Sequence, residues 1–301
     1  MDLDDVIAAF SDPSASVPAV IADASRPRRL RDAIEPIAMH SVWSRTTNDR
    51  LAGFGLDFMG SYLLSRASLL GAPEPGVVAA AFAVFEPAMV EAAYQQARHL
   101  VGGDELLAAR EEATTVSLTA VLGDGELPAI VEVTDRLQAA VSEADGTGRP
   151  LFSGLAGRRW PDDPVARLWR ACEQAREHRG DSHVAVCTAR GLGPVEMNVL
   201  TELWLDMPLG SYTATRGWPG EAIDAAVGSL EAREMVSDGR PTDAGRAFRD
   251  AIEADTDALE QPVVDGLGPD PDAVIEQLAA WSDRCVAAGA FPDNPHKRAA
   301  G

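Results

Sequence analysis

The sequence has little of several things that usually mark a function. Of its 301 residues one is a lysine, Lys297, and three are cysteines, Cys172, Cys187 and Cys285. The cysteines are odd in number and never fall in a C-x-x-C pair, which argues against a disulfide framework or a zinc knuckle and leaves no metal site to assign. No apolar run reaches the roughly 18 to 20 residues that cross a bilayer. The longest candidate, GSYLLSRASLLGA, is broken by Arg66. The opening MDLDDVIAAF is acidic and lacks the basic region of a signal peptide, so the expectation is a cytoplasmic protein with no membrane partner. The P-loop, the G-x-G-x-x-G turn, the G-x-S-x-G elbow and H-E-x-x-H are all missing. Neither a cofactor nor a reaction can be read from the chain, and whether it is an enzyme stays open.

Acidity is what the chain has in excess. A formal charge of −21 and a pI near 4.5 give it a field that repels polyanions unless one face is locally basic. Almost all its positive charge is arginine, a bias that a GC-rich genome also produces. Apolar residues recur at three- and four-residue spacing and alanine is abundant, so the expected fold is mainly α. Proline and glycine mark the joints, as in GAPEPG, GTGRP and WPDDP. The best strand signal is MVSDGRPT, where Asp238-Gly239 reads as a hairpin turn.

The chain also repeats. RLRDAIEPIAMH (29–40) lies over RLWRACEQAREH (167–178) at an offset of 138, pairing Glu35 with Glu173 and His40 with His178. Further on the offset becomes 145, with Glu86 on Glu231 and Leu122-Gly123 on Leu267-Gly268. The expected organisation is an N-terminal helical extension over 1–25, a first, degenerate winged-helix repeat over 26–147, and a linker over 148–163. A second repeat with a full winged helix follows over 164–290, then a disordered tail over 291–301.

The second repeat carries the order helix, turn, helix, short two-stranded wing, helix across 194–258. SLEAREMVSDGRPTDAGRAFRDAIEADTD resembles the wing and following helix of MarR-type regulators. FGLDFMGSYLLSRASLLG, WPDDPVARLWRACEQAREHRGDSHVAV and RGWPGEAIDAAVGSLEAREMV resemble an actinobacterial family of SalK-like helix-turn-helix proteins, over most of the chain. The resemblance implies a winged-helix fold and brings no established chemistry with it. DNA reading is disfavoured by charge. Residues 195–258 hold 13 acids and 5 arginines, and Ala67 to Ala97 contains no basic residue, so the equivalent helix of the first repeat reads as buried.

Two regions offer side chains for a site. In REHRGDSH (176–183) Gly180 reads as the end of one helix, with Asp181 or Ser182 capping the next. His178, Asp181 and His183 are the candidates there for acid/base work, and His178 and Arg179 for holding a ligand. The repeat gives His178 a partner in His40, so the two histidines either face a shared cleft or hydrogen-bond in equivalent cores. Around His40 stand Trp43, Phe58, Tyr62 and Phe85, with Arg66 on a helix that is apolar nearly all round. Arg66 is either neutralised by Glu86 or Asp57 or is the anchor for an anionic or carbonyl-bearing ligand.

The leading expectation is a protein that binds a small, largely apolar or aromatic molecule between or within its repeats, as a sensor or accessory protein in specialised metabolism. One alternative is a MarR-like DNA-binding regulator, working as a homodimer that presents Arg216, Arg233 and Arg240 on one face. The other is an enzyme using the His/Asp site at 176–183.

Overall fold

Asp163-Pro164 shows how this sequence starts its helices. The Asp163 carboxylate accepts from the amides of Val165 and Ala166, and Pro164 occupies the first turn, where no amide is needed. In the computed structural model, which describes residues 3–300, the described residues form sixteen α-helices, many of them begun by such signals. Met1, Asp2 and Gly301 lie outside the described residues, and so do the extension and tail expectations where they fall on them.

The first half comprises α1 (Leu3–Phe10), α2 (Arg26–Ala38), α3 (His40–Trp43), α4 (Arg45–Ala52), α5 (Phe58–Ala67), α6 (Pro75–Phe82), α7 (Pro87–Ala97), α8 (Gly103–Leu122) and α9 (Leu127–Ser142). After α10 (Pro150–Ala156) come α11 (Pro164–Ala189), α12 (Pro194–Trp204) and α13 (Gly220–Ala232). The strands β1 (Val236–Ser237) and β2 (Arg240–Pro241) pair antiparallel about Asp238-Gly239, where both residues have positive φ. Then α14 (Asp243–Gly266), α15 (Pro271–Ala287) and α16 (Pro295–Ala300) complete the chain. The fold is mainly α, with one two-stranded wing.

Element bounds recur at the offsets seen in the sequence. Arg26 opens α2 and Pro164 opens α11, 138 apart; Pro75 opens α6 and Gly220 opens α13, 145 apart; Ser142 closes α9 and Ala287 closes α15, again 145 apart. Helix α2 packs on α15, and α11 packs on α9. These helices and parts of α8 and α14 share one core, built on Trp169, Trp281, Leu168, Ile34 and Leu278. A smaller core lies on each side. One, in the first half, joins α5 to α8; the other, in the second, joins α12, α13 and the wing. The molecule is thus a central bundle with a lobe on either side.

Three expectations fail. There is no corner in REHRGDSH, because α11 runs unbroken through Gly180 for 26 residues. Asp181 does cap a helix, but not the one expected: its carboxylate accepts from Leu151 and Phe152 at the start of α10. Ser182 bonds back to the His178 carbonyl and receives Arg149. Second, α6 is not buried, since Gly76, Val77 and Ala80 lie exposed on one face. Third, the tail is ordered over its described residues. Phe291 and Lys297 are buried and Pro295–Ala300 is helical, because Asn294 caps the short helix and Phe291 packs on Trp43. The expected linker likewise contains α10, packed on α11.

Continuity at Gly180 is testable. A methyl added there meets nothing within 4 Å. Gly180→Ala should therefore stabilise the protein by about 0.5–1 kcal/mol in urea denaturation, through helix propensity. A helix ending there in the left-handed conformation would give destabilisation instead.

Candidate functional site

The central bundle and the two lobes meet around one cleft, with about 170 Å³ open to water-sized molecules. Its floor is α11, through Arg176, Glu177, Arg179, Gly180, Asp181 and His183, flanked by Arg28 and Arg31 of α2. The first lobe contributes Tyr62 and Arg66 of α5 and Phe82 and Phe85, and the second contributes Tyr212, Arg216 and, on α14, Arg249 and Glu253. Seven arginines line this space in a protein of net charge −21.

Most of them are held by shared carboxylates. Glu177 takes Arg66 Nη2 at 2.6 Å on one oxygen and Arg176 Nη1 at 2.9 Å on the other. Arg176 Nε then reaches Glu35 at 2.9 Å, and Arg31 lies 3.6 Å from the same carboxylate oxygen. Burial pushes the Glu35 carboxyl up, but Arg176 and Arg31 more than reverse this and hold it at about 2. Across the cleft Glu253 pairs with Arg28, Arg179 and Arg249, which hold it well below the carboxylate range against its own desolvation. Asp32 receives Arg28 and Arg31, and Asp257 lies 2.9 Å from Arg179. Five carboxylates thus answer six of the seven arginines.

Arg216 is the one left over. It pairs with no carboxylate among the described residues, and its side chain bonds only Thr215. Its guanidinium stacks 3.6 Å from the Tyr212 ring centroid and 5.4 Å from that of Phe85, and its buried Nε has no partner. Phe85, Phe82 and Tyr62 form one aromatic wall with centroids 5.8–6.4 Å apart, and Arg66 lies 4.7 Å from the Phe82 ring. The turn carrying Phe82 and Phe85 is strained, with Ala83 at φ 46 and ψ −65. It persists because the Val84 carbonyl accepts from Asn198 at 2.8 Å and Trp218 at 2.9 Å, in the other lobe. Gly217 suits this junction because its φ of 85 would strain a residue with a side chain.

A family model described as a helix-turn-helix family matches residues 27–292. The chain belongs to that helix-turn-helix family. A search of the curated proteins and one of the solved structures each found no match. The match spans both lobes and the bundle between them, and of the residues that line the cleft Ala299 and Ala300 alone lie outside it.

The sequence candidates separate into two groups. Tyr62, Arg66, Phe85, Arg179, Asp181 and His183 all line the cleft. His40, Trp43, Phe58 and His178 do not. His40 bonds Ser117 on α8 at 2.9 Å, and His178 bonds Glu260 on α14 at 2.5 Å while packing on Phe152. The paired histidines thus sit in equivalent buried places, each tied to the corresponding helix of its own half. Trp43 and Phe58 join Phe10 and Phe291 in a separate aromatic cluster. Neither carboxylate expected to neutralise Arg66 does so, because Asp57 and Glu86 cap α5 and α7; Glu177 pairs with it instead.

Acid/base groups in the cleft are few. Burial raises the Asp181 carboxyl to about 6, even with two amides bonded to it. Burial and neighbouring arginines push His183 down to about 3, so it is neutral. The three cysteines are buried, and desolvation raises each thiol. Among the described residues no cluster of three His, Cys, Asp or Glu could hold a metal, and no helix is long and apolar enough to cross a membrane.

Sequence reasoning missed Arg28, Arg31, Arg176, Arg216 and Arg249. One of them left a signal. Gly245, Arg249, Ile252, Thr256, Glu260 and Val263 form the buried stripe of α14, so Arg249 and Glu260 occupy positions that helical spacing reserves for the core.

His40 gives a pH prediction. Burial lowers it to about 4, so it stays neutral in the folded protein while the unfolded chain protonates near 6.5. Its contribution is complete above 6.5 and is lost as pH falls towards 4. Denaturation at pH 7 and pH 4.5 should show the native protein losing about 2 kcal/mol more than His40→Gln. Equal losses would place the histidine in a charged environment.

Proposed function

We propose that this helix-turn-helix protein binds a small, flat, anionic molecule in the inter-lobe cleft and acts as a sensor or accessory protein rather than as a strong DNA binder. Arg216 carries the reading. A buried guanidinium without a carboxylate partner is costly, and a ligand anion between the lobes would neutralise it. Size and charge narrow the ligand. An engineered cavity of roughly 150 Å³ accepts benzene, so this cleft suits a single ring or an equally small conjugated body. Arg216 alone among the seven arginines lacks a carboxylate partner among the described residues, which favours an anionic ligand. The wall of Tyr62, Phe82 and Phe85 supplies a flat apolar face.

Family membership favours the second reading, a DNA-binding regulator of MarR-like ancestry. The exposed side of α13 opposes it, carrying Glu221, Asp224 and Glu231 with no basic residue. Arg216, one of the three arginines that reading needs on its DNA face, points into the cleft. A tight, salt-sensitive gel shift with a promoter fragment would favour the regulator.

Benzoate is a suitable probe for the ligand reading. Calorimetry should detect its binding to the native protein and none of the cation benzylamine. Arg216→Met should weaken benzoate at least about tenfold, as expected for losing a charge-assisted pair in a buried site. Equal benzoate affinity in both proteins would remove Arg216 from the site.

A further inference from the structure

The arginine end of the cleft already has an occupant. The final turn, α16, lays its backbone carbonyls against the groups that would hold an anion. Arg28 Nη2 donates to the Ala299 carbonyl at 2.7 Å, Arg31 Nη1 donates to that of Arg298, and the Tyr212 hydroxyl donates to that of Ala300 at 2.7 Å. Ala299 and Ala300 themselves line the cleft. Pro36 supplies a further attachment. Lacking an amide, it leaves the Asp32 carbonyl free inside α2, and Arg298 Nε takes that carbonyl at 2.7 Å.

Behind these contacts the segment is held by an exposed Arg298–Asp283 ion pair and a small apolar seat. Six residues are too few for a helix to be stable alone. Its apolar seat is small, with Ala299 and Ala300 against Trp204 and Leu205. The chain's single lysine, Lys297, is buried with its ammonium 5.5–5.9 Å from the rings of Phe10, Trp43 and Phe291. Among the described residues it forms no salt bridge, and its desolvation is offset by the aromatic faces and the more distant Glu35 carboxylate. By contrast Phe291 is fully buried against Trp43, which fixes the chain on the near side of Pro292.

We propose that residues 295–300 are a displaceable strap, and that anion entry drives it from the cleft. The carbonyls of Arg298, Ala299 and Ala300 occupy the Arg28, Arg31 and Tyr212 donors, and Tyr212 stacks on Arg216, so ligand oxygens at Arg216 compete for the same donors. A carboxylate outcompetes them because hydrogen bonds to a charged acceptor are roughly twice as strong as neutral ones. Ligand and strap then exclude one another, and strap release becomes the outward sign of binding. The idea rests on the cleft being an anion site.

Because Lys297 is the only lysine, a lysine-specific endoprotease can cut the full chain at one bond, inside the strap. Cutting requires that bond to leave its buried seat. In the native protein cleavage should be slow, and saturating benzoate should accelerate it at least about tenfold. Unchanged or slower cleavage with benzoate bound by calorimetry would overturn the strap. A chain ending at Asn294 should bind benzoate at least about tenfold more tightly, since a strap closed nine-tenths of the time lowers apparent affinity by that factor. Equal affinity would overturn it as well. If circular dichroism shows the shortened chain unfolded, Ala299→Arg, which sets a cation beside Arg28, replaces it with the same expectation. Absence of benzoate binding to every folded form would overturn the cleft reading itself, and the strap with it.

Discussion

Everything around the cleft depends on Glu177. Its carboxylate lies on the central helix and divides its two oxygens between Arg66 of the first lobe and Arg176 of the bundle. Through Arg176 it is coupled to Glu35, and so to α2. Each of these charges has left water, and an unpaired ion buried this deeply costs several kcal/mol. The arrangement is therefore stable only with all members present. It ties the first lobe to α2 and α11 of the bundle, which already share an apolar core.

Such a cluster is a poor way to gain stability, because apolar side chains of similar volume do as well or better. Its presence in a protein of charge −21 points to a use for positive charge that the surface cannot supply. The helix-turn-helix frame fits this use. Two lobes facing each other across a bundle enclose a space that neither encloses alone, and the strained turn at Ala83 holds them together through the Val84 carbonyl. The surfaces that would face DNA in such a frame are acidic or apolar instead.

Much of the fold was legible in the sequence. The offsets of 138 and 145 anticipated where α2 and α11, and α6 and α13, begin. The wing was visible in Asp238-Gly239, where a turn requires positive φ at successive residues. The site was legible only in part. Tyr62, Arg66, Phe85 and Arg179 could be singled out because each looks out of place or aromatic in its own segment. Arg28, Arg31 and Arg216 look like ordinary surface arginines until the chain folds. Apart from Asp32 and Glu35 close by, the partners of Arg28 and Arg31 lie 225 to 271 residues on, at Glu253 and the carbonyls of α16, and the Phe85 ring lies well before Arg216, separations that local pattern does not record.

Gly180 and the histidines teach the complementary lesson. Gly-Asp-Ser reads as a helix end by local rules, yet tertiary contacts override it. Asp181 finds the amides of α10 and Ser182 finds Arg149, so the backbone has no reason to break. His40 and His178 correspond in sequence because they correspond in the core, which makes their pairing a mark of packing rather than of chemistry.

The central claim is that the inter-lobe cleft is an anion site centred on Arg216, and diffraction from crystals soaked in bromide tests it most directly. The account predicts an anomalous peak within hydrogen-bonding distance of the Arg216 guanidinium, between the Tyr212 and Phe85 rings. Bromide found only on the outer surface, with the cleft left to water, would contradict it.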